Sequence, residues 1–217
     1  MTGQKAYYQM SGAGGCPRRV AARRAGYALK DQADFMSRAA REGVRHERYI
    51  AEDLETDYGY LVSNEVYCSP CQRSGTHIEM QFPALKLVGH YDRLATRNGQ
   101  PRVAEFKAPG DKIAKALVAS IQEGKFAEQF HEYAFQVSCY AHATRLPALY
   151  VVKNRNTGFM KIFEMEPPFS MDYIDKRLAD IELHVRKGTL PACEFAAGSF
   201  ERSVCRGGYL CAGLDSA

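Results

Sequence analysis

Asp92, Glu105 and Lys107, near the middle of the chain, are of the residue types that hold a divalent cation beside an amine. Such a pair of groups hydrolyses phosphate esters. Leu87–Thr96 and Pro101–Ala108 are apolar-rich runs parted by Arg97-Asn98-Gly99-Gln100, and Asn-Gly is a strong signal for a two-residue hairpin turn. With Asn98 and Gly99 at the turn, Asp92 falls directly opposite Glu105. Residues so paired carry Cβ atoms about 4.5 to 5.5 Å apart on one face, and two carboxylates there repel each other. A hard cation relieves that repulsion; Mg²⁺ is typically held by one or two carboxylates and completed by phosphate and water. The strand period of two puts Lys107 on the face of Glu105 and turns Ala104 and Phe106 to the other. An isolated Glu-x-Lys is more often a simple neutralised pair on a strand, so the weight rests on all three residues together.

These residues need a sheet and helices to hold them. Ser11-Gly12-Ala13-Gly14-Gly15 closes a flexible lead-in over residues 1–15. Pro17 opens a helical stretch to about Arg41, and a second runs from Glu42 to about Asp57. Tyr60–Tyr67 alternates like a strand and leads into a polar loop holding Cys68 and Cys71. After the hairpin, 111–122 and 126–144 read as helices. A strand pair, 149–153 and 159–165, turns at Asn156-Thr157-Gly158, and a helix from Met171 to Lys187 stops at Gly188. The order predicts an α/β fold with a central mixed sheet flanked by helices. One domain over 1–217 is the expectation, with a helical segment at 16–57, a core at 58–165 and a C-terminal helix and tail at 166–217.

The chain of 217 residues is 46% hydrophobic, enough for one full core. No apolar run approaches the roughly 18 residues that span a membrane, and the first ten residues lack a secretory pattern, so a soluble cytoplasmic protein is expected. The net charge of +4 decides little by itself. Its distribution says more: Arg18, Arg19, Arg23, Arg24, Lys30, Arg38, Arg41, Arg45 and Arg48 crowd the first fifty residues. They form either a solvated helix face or a surface that tracks phosphates.

Gly89-His90-Tyr91-Asp92, a turn, then Glu105-Phe106-Lys107 resembles the core of the PD-(D/E)xK nuclease superfamily. Gly43-Val44-Arg45-His46-Glu47 is similar to the helical segment of its RecB-like branch, and Gln136 with Tyr140 resembles the Q-x-x-x-Y motif that follows there. The resemblance implies a restriction-endonuclease-like core in which His46, Asp92, Glu105 and the Phe106 carbonyl hold Mg²⁺ or Mn²⁺. Lys107 would assist hydrolysis, and Gln136 and Tyr140 would steer the nucleic acid. Taken by itself, His46 on an amphipathic helix is more often an ordinary surface or core histidine. Gln136 and Tyr140 at this spacing are equally compatible with plain packing.

Seven cysteines in a chain without an export signal favour ligation or burial over disulfides. Cys16 before the first helix and Cys193, Cys205 and Cys211 near the end resemble the iron-sulfur RecB-like nucleases, including the CRISPR-associated Cas-four family. That likeness implies a [4Fe-4S] cluster joining the N- and C-terminal segments. The interval from Cys205 to Cys211 fits the family pattern, but Arg202 stands where a ligand is usual, so either Cys193 serves from a longer loop or the cluster is absent or altered. Four thiolates also suit zinc. Cys68 and Cys71 lack a second cysteine pair at finger spacing, and Cys139 reads as a buried small hydrophobe. The expected substrate is DNA, single-stranded or with free ends, cut by an exonuclease. CRISPR adaptation, recombination or phage DNA processing would supply its protein partners. The rival reading is a catalytically silent nucleic-acid-binding module with a structural iron-sulfur or zinc site.

Overall fold

The computed structural model describes residues 7–27, 34–69, 73–82 and 85–194. Its elements are β1 (Tyr8–Gln9), α1 (Met10–Ala13), α2 (Pro17–Arg24), α3 (Asp34–Thr56), β2 (Leu61–Val62), β3 (Tyr67–Cys68), β4 (Arg73–Ser74), β5 (Thr76–Phe82), β6 (Leu85–Tyr91), β7 (Arg93–Arg97) and β8 (Gln100–Lys107). They continue with α4 (Asp111–Gln122), α5 (Phe126–Gln129), α6 (His131–Thr144), β9 (Ala148–Lys153), β10 (Met160–Met165) and α7 (Met171–Arg186).

The turn between β7 and β8 forms as its residues require. Asn98 and Gly99 take φ of 52° and 73°, the positive values of a type I′ turn. The ladder then runs from Arg97↔Gln100 to Arg93↔Ala104, the register expected from the turn. Around this hairpin stands a five-stranded sheet of order β10-β9-β8-β7-β2. The pairing of β8 with β9 is parallel and the others are antiparallel. A parallel neighbour cannot follow a tight turn, and the connection is made by α4, α5 and α6.

Alternation along the strands divides the core in two. Ala104, Phe106, Leu149 and Val151 pack with Ile50 and Leu54 of α3 on one face. Val103, Tyr150 and Val152 pack on the other with Leu117 of α4, Phe135, Val137 and Tyr140 of α6, and Ile174 and Leu178 of α7. Helices thus cover both faces of a mixed sheet, and the α/β expectation holds.

Several local expectations change. The run Leu87–Thr96 is not one strand: the chain leaves one sheet at Tyr91 and joins another at Arg93, with Asp92 between. β6 belongs to a second mixed sheet of order β1-β6-β5, in which β1 lies parallel and β5 antiparallel to β6. β1 and α1 occupy part of the expected lead-in, because Tyr8, Met10 and Ala13 are apolar and buried. The helical boundary falls after Arg24 instead of Arg41: Gly26 has φ of 83°, whereas Gly43 lies inside α3 with open space around its Cα. Tyr60–Tyr67 shrinks to β2 and the start of β3, the latter paired with β4. The helix expected over 126–144 breaks at Phe130, whose φ and ψ of −127° and 48° are not helical.

Candidate active site

The site forms where β7 stops short. β8 continues past its last partner, leaving the edge of Glu105–Lys107 open on the hairpin side. Asp92 fills this gap by accepting the Phe106 N–H on Oδ2 at 2.7 Å. In an extended strand a residue's N–H and C=O project to the same edge, so the Phe106 carbonyl faces the same side. Glu105 and Lys107 point to the α6 face, as their parity with Val103 requires.

Glu105 is 2% exposed. Its Oε1 accepts a hydrogen bond from Lys107 Nζ, and its Oε2 is buried with no hydrogen-bond partner. Lys107 Nζ also approaches Gln136 Oε1 at 3.5 Å and lies 5.0 Å from the centre of the Tyr133 ring. Gln136 Nε2 donates to the Tyr140 hydroxyl at 2.8 Å. The i, i+4 pair on α6 is therefore wired to the lysine, with Gln136 and Tyr140 both buried. Tyr150, beside Glu105 on β9, is fully buried and its hydroxyl has no hydrogen-bond partner.

A third carboxylate joins the cluster, and it belongs to Glu47. Burial, then the charges of Asp92 and Glu105, push its pKa up to about 8. Glu105 is likewise raised to about 8, by burial first and Asp92 second, against the pull of Lys107. Asp92 is shifted upward by burial, although Lys107 and the Phe106 N–H oppose this. Burial lowers the Lys107 pKa, but the charges of Glu105 and Asp92 outweigh it and the net shift is upward. His46, one residue before Glu47, has a buried Nδ1 without a hydrogen-bond partner, and its ring meets Tyr49 edge-on at 6.1 Å. Glu47 was within view of the sequence, in the His46-Glu47 pair. Only the placement of α3 shows that its carboxylate shares the field of Asp92 and Glu105.

The structure thus brings together Asp92, Glu105, Lys107, Gln136 and Tyr140, and adds Glu47 and Tyr150. Three acidic groups answer to Lys107 and to Arg93, which itself leans toward Glu65 at 3.6 Å. Buried carboxylates in excess of cations hold protons or gain a cation. The orphaned Glu105 Oε2 is a donor suited to a divalent ion, whereas His46 meets Tyr49 and, among the described residues, is not brought with Asp92 and Glu105 into a group of ligand atoms within 4.8 Å of one another.

Cys16 and Cys193 are free thiols, the first buried and the second half-buried. Their segments are tied together: Arg177 donates to Gly15 O at 2.7 Å and reaches Glu194 at 3.4 Å, and Arg18 donates to Pro191 O at 2.8 Å. Cys205 and Cys211, the other two expected ligands, lie outside the described residues, as does Cys71. Cys139 is fully buried, as expected of a small hydrophobe. Of the early arginines, Arg45 and Arg48 stay exposed on α3, whereas Arg19 and Arg24 turn inward. Arg19 pairs with Glu132 at 2.9 Å and Arg24 with Glu182 at 3.3 Å, which fastens α2 to α6 and α7.

This is an α/β protein with a buried acidic cluster at the point where a strand changes sheets. No family model matches the chain, and no curated protein matches it. Among solved structures it is similar to the crystal structure of SSO0001, with a TM-score of 0.54 at 13% identity, covering 97% of this chain and 88% of that one. At that identity the likeness concerns the fold alone. Among the described residues, no helix is long and apolar enough to cross a membrane.

Proposed function

We propose that this chain is a metal-dependent nuclease that hydrolyses phosphodiester bonds in DNA, as the resemblance to RecB-like PD-(D/E)xK nucleases implies. The observation that carries the reading is the position of Asp92, on the Phe106 N–H at 2.7 Å, beside buried Glu105 and its ion pair with Lys107, with Glu47 within their electrostatic field. His46, Asp92, Glu105 and the Phe106 carbonyl would hold Mg²⁺ or Mn²⁺, and Glu47, whose titration feels the charges of Asp92 and Glu105, would act beside them. When bound, the cation polarises the phosphate and acidifies water.

The protein's own groups do the rest. Lys107, kept charged by Glu105 and Asp92, stabilises negative charge growing on the attacked phosphate. Gln136 and Tyr140 fix the direction of the lysine through the contact at 3.5 Å and the hydrogen bond at 2.8 Å. Asp92 is aimed by the Phe106 N–H. Single-stranded or free-ended DNA as substrate, exonucleolytic cutting, and partners in CRISPR adaptation, recombination or phage DNA processing are proposed from the resemblance. A [4Fe-4S] cluster on Cys16, Cys193, Cys205 and Cys211 is proposed on the same basis. It is supported by the hydrogen bonds that bring the segments of Cys16 and Cys193 together.

The test is degradation of end-labelled single-stranded DNA with Mn²⁺, with Mg²⁺ and with EDTA. Cleavage is expected with either metal, to stop on chelation, and to fall about a hundredfold or more in Lys107→Ala, the scale of a lost charge-stabilising group. Cleavage that persists in EDTA, or that Lys107→Ala leaves unchanged, refutes the reading.

A further inference from the structure

Among the described residues, one group of three histidine, cysteine or carboxylate donors converges with all its ligand atoms within 4.8 Å of one another, and it shares no residue with the acidic cluster: Cys68, His77 and His90. Three chain segments build it. His77 on β5 stands directly opposite His90 on β6. Cys68 comes from β3, held by its ladder with β4. The alternation along β5 turns Met80 and Phe82 into the core and leaves His77 and Glu79 on the outer face.

We propose that Cys68, His77 and His90 bind a zinc ion. His77 Nδ1 and His90 Nε2 are 3.4 Å apart, with the rings at 65°. Two nitrogens each about 2.05 Å from a tetrahedral zinc lie about 3.3 Å from one another. The two nitrogens also meet at the long end of hydrogen-bond distance, a contact that a bound ion would replace. His77 Nε2 is 3.1 Å from Glu79 Oε1, and Glu79 is held in turn by Lys86 at 2.6 Å. Metal-bound histidines commonly pass their second ring N–H to such a carboxylate, which fixes the tautomer and leaves the other nitrogen bare for the ion. Here that other nitrogen is Nδ1, the one facing His90.

One thiolate and two imidazoles select zinc over the hard ions suited to carboxylates. Tetrahedral zinc with three protein ligands keeps a fourth position for water or a further donor. The ion clips the β3–β4 hairpin onto the β5–β6 pair, two residues before Asp92. The inference does not depend on phosphodiester hydrolysis and stands or falls separately from it.

The test uses Co²⁺ as a spectroscopic substitute in the metal-free full-length chain. Thiolate ligation gives a near-ultraviolet charge-transfer band that oxygen ligands do not give, so the acidic cluster is silent in this readout. Wild type is expected to take up about one more cobalt per chain than Cys68→Ser or His77→Ala, and both variants to lose the matching share of the band. Cys205→Ser, remote in sequence, leaves that difference in place. His77→Cys is expected to keep the ion and to strengthen the band through a second thiolate. Equal cobalt uptake and equal absorbance in wild type, Cys68→Ser and His77→Ala overturn the proposal. So does a His77→Cys chain with no more thiolate-bound cobalt than His77→Ala.

Discussion

Under the proposed function, Glu47 is the residue that separates a carboxylate cluster built for a cation from a neutralised pair on a strand. If Lys107 merely offset Glu105, a half-buried carboxylate on a separate helix would have no reason to share their electrostatic field. Glu47→Gln is therefore expected to weaken metal-dependent cleavage by about ten- to a hundredfold and to raise the Mn²⁺ concentration needed for half-maximal rate, in line with the loss of a group that positions or holds the ion. A rate and metal dependence equal to wild type would remove Glu47 from the site. The protonation of the cluster gives a second reading. Glu47 and Glu105 have pKa values raised from 4.5 to about 8, so in the metal-free protein they favour the folded state fully below pH 4.5, and this contribution is lost as the pH rises through about 8. The melting temperature of chelated wild type should fall relative to that of chelated Glu47→Gln across this window. Added Mn²⁺ should close the gap above pH 8, since the cation then offsets the charge of the ionised carboxylates. A pH-independent difference between the two chelated proteins would show that these carboxylates are not buried as described.

At the scale of elements, what was legible in the sequence is what local chemistry decides. Asn98-Gly99 fixed the register of β7 with β8 as far as Arg93↔Ala104, but Asp92 lies beyond that ladder and accepts the Phe106 N–H instead of pairing directly with Glu105. Gly158 and Gly188, both at positive φ, closed the β9–β10 turn and ended α7 where expected. The remainder depended on partners far away in the chain. Nothing around Asp92 signals that the strand changes sheets there, because the exchange is set by β5 and β1, and β5 carries His77, Glu79 and Gln81 on its outer face, which weakens its apolar signal. Glu47 could not be preferred to His46 because neighbours on a helix differ by about 100° in direction, and the orientation of that turn of α3 is set by the distant packing of Ile50 and Leu54. Gly89 shows how closely β6 and α6 must fit. A Cβ there would stand 2.7 Å from Met10 Sδ and 2.9 Å from Tyr140 Cε1. Gly89→Ala is expected to cost about 1 to 3 kcal/mol by overpacking and, by displacing Tyr140, to lower the cleavage rate of the folded fraction. Gly99→Ala, at φ of 73° with open space around it, should cost stability of about 1 kcal/mol and leave the rate alone. Denaturant melts paired with rate measurements separate the two, and a Gly89→Ala protein with unaltered stability and rate would contradict the packing described.

Over the whole molecule, the first and last described elements are joined by a polar knot instead of by the sheet. Tyr8 donates to Glu182 Oε2 at 2.7 Å, and Arg24 reaches Glu182 Oε1 at 3.3 Å. A single buried carboxylate on α7 thus holds both β1 and α2, the segments that flank Cys16. Glu182 is 5% exposed, so its removal would strand the Arg24 charge and the Tyr8 hydroxyl in a nearly dry setting, where breaking one side of a pair costs about 3 kcal/mol. Glu182→Ala is accordingly expected to lower the urea midpoint and to expose the first 25 residues or so to proteolysis before the rest of the chain. The acidic cluster, held by α3, β8 and α6, does not share this knot, so the rate per folded molecule with Mn²⁺ should stay within about twofold of wild type. If a cluster on Cys16 and Cys193 also closes the ends, assembling it should restore much of the lost stability, since a cross-link between distant parts of the chain limits the unfolded state most. A Glu182→Ala protein as stable as wild type would show that this knot does not hold the N-terminal segment to α7, and equal melting with and without iron-sulfur reconstitution would count against the four-cysteine staple.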